Sequence, residues 1–132
     1  MNVAYLDTSA LVKLVVREAE SEALQAWIQD RGPDVIATSM LAGVELRRAS
    51  SRHSRAAAEV AERILSSVDQ IAMTPDLLRE AAAVEPAALR SLDAIHLATA
   101  CRIGSSLSAF VAYDLRLLAA AEAAGLATAQ PQ

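Results

Sequence analysis

Four acidic residues stand where a carboxylate could do chemistry: Asp7, Glu45, Asp93 and Asp114. Asp7 follows the apolar run Val3-Ala4-Tyr5-Leu6, and Asp114 follows Phe110-Val111-Ala112-Tyr113. Each is succeeded at once by a helical apolar pattern. In an open α/β sheet ligands gather at the carboxyl ends of strands, which is where both acids fall. Short oxygen-bearing side chains also cap helices by accepting orphan amide hydrogens, so Asp7-Thr8-Ser9 and Asp114 read equally well as helix starts. Asp93 lies in a first helical turn, where the helix dipole favours negative charge without any function. Glu45 differs, because it sits mid-helix beside Val44 on the expected inward face, where it can cap nothing. An ion pair with Arg47 or Arg48 would account for it. A divalent cation would account for all four acids together, since Mg²⁺ and Mn²⁺ take oxygen ligands from a few carboxylates.

The elements that would carry these residues follow from periodicity and end signals. Val3–Leu6 is a short buried strand, and Ser9–Val16 a helix. Residues 18–30 form a second helix, with Leu24, Trp27 and Ile28 on one face, closed by Gly32-Pro33. A strand over 35–38 leads to a helix capped by Ser39 and running to about Ser50. The chain continues as a helix over 55–67, a strand over 68–73 and a helix opened by Thr74-Pro75. Residues 84–90 are a loop containing Pro86, and a helix follows from Ser91 to Ile103. A strand over 109–113, a helix over 115–124 ended by Gly125 and a last strand over 126–129 complete the chain. Strands alternating with helices predict a parallel sheet with helices on both faces.

The chain has 132 residues, 54% of them hydrophobic and only 3% aromatic, with a net charge of −4. That length suits one domain over residues 1–132, the apolar content excludes disorder, and the core must be aliphatic and rich in alanine. The acidic balance excludes nonspecific coating of nucleic acid, which needs a basic face. Cys101, the single cysteine, cannot form an internal disulfide and reads as a buried, inert thiol in a reducing compartment. No basic leader precedes Asp7, and charges interrupt every longer apolar run, so a cytoplasmic protein without a membrane span is expected.

Taken in order, Asp7-Thr8-Ser9-Ala10-Leu11, Glu45, Asp93-Ala94-Ile95-His96-Leu97-Ala98-Thr99-Ala100 and Tyr113-Asp114-Leu115-Arg116-Leu117 resemble the PIN-domain ribonucleases, most closely the VapC toxins of toxin–antitoxin pairs. The resemblance covers the whole chain. It implies a three-layer α/β/α fold on a small parallel sheet of order 3-2-1-4-5, in which Asp7 and Asp114 meet at the switch point. It also implies a metal-dependent endoribonuclease. Asp7, Glu45, Asp93 and Asp114 match the catalytic and metal-binding quartet for Mg²⁺ or Mn²⁺, with Ser9 as the supporting polar residue. A VapB-type antitoxin, an RNA substrate and a homodimer are implied as partners. One departure is Ala112, where the family commonly carries Thr or Ser two places before the fourth acid.

Phosphodiester hydrolysis needs an activated water and neutralised phosphoryl charge, both of which carboxylate-held cations supply. Crowded carboxylates predict a raised pKa in at least one of them when metal is absent. Arg47, Arg48 and Arg52, with His53 and Arg55, form the densest basic stretch and could meet RNA phosphates or simply be a solvated face. His96 reads as a packing or surface histidine, with the site rim as the alternative. Trp27 reads as core, or if exposed as an anchor for an antitoxin peptide. An aspartyl-nucleophile phosphatase is disfavoured, because Ser9 stands where its second aspartate would be. A non-catalytic PIN-like binding module, with acids that only cap helices, is the remaining alternative.

Overall fold

The computed structural model describes residues 1–132. Strand β1 (Val3–Leu6) leads to helices α1 (Thr8–Val15) and α2 (Ser21–Arg31), then to β2 (Val35–Ser39), α3 (Met40–His53) and α4 (Arg55–Ser67). Next come β3 (Asp69–Ile71), α5 (Pro75–Ala82), α6 (Ser91–Ile103), β4 (Leu107–Val111), α7 (Leu115–Ala123) and β5 (Thr128–Ala129). The five strands form one parallel sheet in the order β3-β2-β1-β4-β5. That is the order the resemblance implies, and its reversal lies between β1 and β4.

Every residue of β1 is buried, because it is the central strand and helices cover both its faces. Side chains alternate across a strand, so Ala4 and Leu6 enter one core with Leu11, Leu24, Leu46 and Val111. Tyr5 points the other way, into a core with Leu97, Phe110, Leu117 and Ala121. There its ring stacks on Phe110 at 5.3 Å between centroids and 5° between planes. Alanines fill much of both cores and let α6 and α7 lie close to the sheet. No helix is long and apolar enough to cross a membrane.

Several element boundaries differ from their sequence expectation for local reasons. Helix α2 begins at Ser21 rather than at 18, because the Glu18 amide donates to Ser21 Oγ at 2.8 Å and holds a turn there. β4 lies two residues earlier than expected. Tyr113 has left the sheet, its amide donating to Ser9 Oγ (3.0 Å) and its hydroxyl to the Pro131 carbonyl (2.8 Å). The strand expected over 68–73 shrinks to Asp69–Ile71, an exposed edge whose polar residues suit a border position. Gly32 and Gly125, at φ 52° and 88°, take the left-handed conformation that ends α2 and α7. Cys101 is exposed rather than buried: α6 buries Leu97, Ala98 and Ala100 and turns the next position outward.

Candidate active site

Asp7 is at once a helix cap and a buried acid. Its amide continues the ladder by donating to the Val111 carbonyl at 3.1 Å, which fixes its backbone at the carboxyl end of β1. Its Oδ1 accepts from the Ala10 amide (3.0 Å) and from Ser9 Oγ (2.6 Å). Both bonds use one oxygen, so Oδ2 has no protein donor, although the residue is only 4% exposed. Burial raises the Asp7 pKa; His96, Ser9 and the Ala10 amide pull it down, and Asp93 adds a smaller upward push. A raised carboxylate was expected from mutual repulsion, but here desolvation leads and repulsion is minor.

Ser9 performs two tasks with one hydroxyl. It donates to Asp7 and accepts from the Tyr113 amide, fastening the end of β1 to the segment that follows β4. Ser9→Ala is expected to destabilise the protein by about 1–2 kcal/mol, since the half-buried Tyr113 amide and Asp7 Oδ1 each lose a partner. A urea melt checks this, and a loss under about 0.3 kcal/mol would show that water replaces the hydroxyl freely.

Glu45 lies on α3 and is half-buried, yet it pairs with neither arginine that follows it. Arg47 turns away to Glu62, with N–O distances of 2.7 and 3.1 Å. Glu45 Oε1 instead accepts from Thr8 Oγ1 at 2.6 Å and lies 3.0 Å from His96 Nε2. His96 is 2% exposed, and its Nδ1 lies 2.6 Å from the hydroxyl of fully buried Tyr5. The proton assignment that satisfies every member runs from the Tyr5 hydroxyl into Nδ1, and from Nε2–H to Glu45. Burial pushes the Glu45 carboxyl up, but the His96 and Thr8 donors, with the charge of Arg90, hold it below its usual range. His96 is therefore neither a surface residue nor mere packing. It joins the sheet to Glu45, a role that its position one turn after Asp93 hinted at but could not establish.

Asp93, in the first turn of α6, has a side chain 14% exposed, and its Oδ2 accepts from Arg90 Nε at 3.0 Å. Asp114 caps α7, its Oδ1 accepting the Arg116 and Leu117 amides at 2.9 and 3.0 Å. That double cap holds Asp114 without the hydroxyl that Ala112 lacks. Its Oδ2 accepts from Arg90 Nη2 at 3.2 Å, so one guanidinium spans Asp93 and Asp114. Glu45, Arg90, Leu92 and Asp93 share one cavity of about 320 Å³. Arg90 also lines a neighbouring one with Tyr113 and Asp114.

The donor set fits a hard divalent cation in type: carboxylate oxygens, with one oxygen of the buried Asp7 residue accepting no hydrogen bond from the protein. As the side chains stand, no three acidic, histidine or cysteine residues form a ready cage. Arg90 supplies the positive charge between two of them. Arg47, Arg48, Ser51 and Arg52 line a separate shallow hollow farther along α3. His53 and Arg55 are exposed. Trp27 is half-buried against the first core, with the Arg31 guanidinium over its ring at 5.6 Å.

A carboxylate-lined pocket at the switch point of a 3-2-1-4-5 parallel sheet is the arrangement of a PIN domain, and the PIN-domain family model matches residues 4–124. Three curated relatives from Mycobacterium tuberculosis align over nearly the full length. Ribonuclease VapC35 is 46% identical over 129 residues, covering 96% of each chain. Ribonuclease VapC47 is 43% identical over 131 residues, also covering 96% of each. Ribonuclease VapC46 is 41% identical over 131 residues and covers 99% of each. The crystal structure of M. tuberculosis VapC20, a sarcin-ricin loop cleaving toxin, superposes with a TM-score of 0.75 at 23% identity, over 97% of this chain and 99% of that one. The chain belongs to the VapC ribonucleases of the PIN-domain family.

Proposed function

We propose that the protein is a Mg²⁺- or Mn²⁺-dependent endoribonuclease, the toxin of a toxin–antitoxin pair, acting as one PIN domain over residues 1–132. The observation that carries this reading is the Asp7 carboxylate of a buried residue, one oxygen without a protein donor, at the end of the central strand and near enough to Asp93 for its charge to act on Asp7. A carboxylate in that setting is costly unless a cation shares it. Asp7 and Asp93 would hold the cation and Asp114 would complete the site, while Ser9 fixes the Asp7 rotamer. A cation bound there supplies positive charge against the developing phosphoryl charge and lowers the pKa of water.

Glu45, ionised and pinned by Thr8 and His96, orients the water for in-line attack on phosphorus. Its lowered pKa makes orientation a better role for it than strong general-base catalysis. The attack forms one P–O bond as the water gives a proton to solvent, and it breaks the bond to the leaving ribose oxygen, which takes a proton from solvent. Arg48 and Arg52, one and two turns beyond Glu45 on α3, lie along a path for flanking phosphates. Arg47 contributes less, being paired with Glu62. A VapB-type antitoxin, a homodimer and a cytoplasmic location complete the proposal.

The test is cleavage of RNA by the purified protein with Mg²⁺ or Mn²⁺, stopped by chelator, together with calorimetric Mn²⁺ binding by wild type and Asp93→Asn. Metal-independent cleavage, or Mn²⁺ heats untouched by Asp93→Asn, would overturn the assignment. Binding of RNA without any cleavage would favour a non-catalytic module.

A further inference from the structure

We infer that Arg90 is an exchangeable cation of the site: it neutralises Asp93 and Asp114 while no metal is bound, then turns to the scissile phosphate when a divalent cation takes those carboxylates. The inference rests on the metal-dependent reading above and adds a residue to it. Three observations carry it. The guanidinium contacts two acids that lie 21 positions apart in the chain, at 3.0 Å from Asp93 and 3.2 Å from Asp114. Arg90 lines both the cavity that contains Asp93 and the one that contains Asp114. Its backbone is anchored, with its carbonyl accepting the Ala94 amide at 2.9 Å to start α6, whereas its side chain is 71% exposed. A fixed base with a long, solvated arm can change partners without disturbing the fold.

Charge decides the direction of exchange. Exposed arginine–carboxylate pairs are weak, because holding a long side chain in place offsets much of the attraction. A divalent cation carries twice the charge and has no such arm to order, so it wins both carboxylates. Four ionised acids then still outweigh one divalent cation by two negative charges, and an incoming phosphodiester adds another. The displaced guanidinium, at the rim of the same cavity, offers a planar fork that matches two phosphate oxygens. Lysine would supply the charge without the fork.

The test uses Arg90→Gln and Arg90→Lys in the full chain, with Mn²⁺ as the probe. In calorimetry without RNA, Arg90→Gln is expected to bind Mn²⁺ about tenfold more tightly than wild type, because the competing cation is gone. At saturating Mn²⁺ the same variant is expected to cleave RNA on the order of a hundredfold more slowly, the usual loss for one donor to developing charge. Arg90→Lys should fall between wild type and Arg90→Gln in both assays. Unchanged Mn²⁺ affinity in Arg90→Gln overturns the exchange, and tighter binding with undiminished cleavage overturns the phosphate role. Wild type that takes up no Mn²⁺ removes the metal-dependent reading itself, and this inference with it. Wild type that binds Mn²⁺ while both variants match it removes only the role of Arg90.

Discussion

Asp7→Asn is expected to end RNA cleavage and, in the same sample, to raise the melting temperature of the metal-free protein by roughly 2–5 °C at neutral pH. The two effects have one cause. Asparagine caps a helix as well as aspartate does, and its Oδ1 can keep the bonds from Ser9 and the Ala10 amide. What the substitution removes is a buried negative charge. The Asp7 pKa is raised in the fold, chiefly by burial. Between the ordinary aspartate range and that raised value, the folded protein therefore binds a proton that the unfolded chain does not. Stability then falls as pH rises through this interval, and the full penalty stands above it. The advantage of Asp7→Asn should be largest at neutral pH and close as the pH drops through the raised value.

Adding Mn²⁺ should reverse the ranking, raising the melting temperature of wild type but not of the variant. Thermal melts at several pH values, with and without Mn²⁺, check both parts. A variant less stable than wild type throughout would mean that Asp7 holds the fold by contacts that asparagine cannot copy. The trade of stability for function would then be absent here.

His96→Leu is expected to cost about 2–4 kcal/mol in urea melts, and to lower kcat on the order of tenfold with little change in KM. Leucine removes the ring nitrogen to which the hydroxyl of fully buried Tyr5 donates, which is the larger part of the stability loss. It also removes one of the two donors that fix Glu45. Thr8 remains, so Glu45 loosens rather than leaving the site, and the chemical step suffers more than RNA binding. The double variant Tyr5→Phe/His96→Leu separates the two consequences. With the orphan hydroxyl gone, stability should recover by about 1 kcal/mol relative to His96→Leu alone. Cleavage should stay low, because Glu45 is no better held. Strictly additive losses in the double variant would show that the two side chains are not coupled through this hydrogen bond.

The position of Cys101 has a smaller consequence for handling the protein. Cys101 is an exposed residue near the end of α6, and partial desolvation of its sulfur, with the Glu80 charge, raises its pKa. It is therefore a poor nucleophile at neutral pH.

Much of the architecture was legible from residue order because its causes are local. Helix hydrogen bonds span four residues and strand alternation spans two, so period and end signals report them directly. Thr74-Pro75, the Gly32 stop and the run Val3–Leu6 each marked an element that the structure contains. The four acids were legible for a related reason, since three follow or begin an element and Glu45 stood out as an acid that could cap nothing. Residue order could not supply their partners. Glu45 meets Thr8 across 37 positions and His96 across 51, and His96 meets Tyr5 across 91. Arg90 reaches Asp114 across 24. Those contacts depend on how α3, α6 and the sheet are rotated against one another, which the packing of alanines and leucines settles. For this protein, sequence determined the elements, their layering and the acids at their ends. Tertiary packing alone decided that Arg47 leaves Glu45 for Glu62, that a buried histidine replaces it, and that one exposed arginine spans two of the acids.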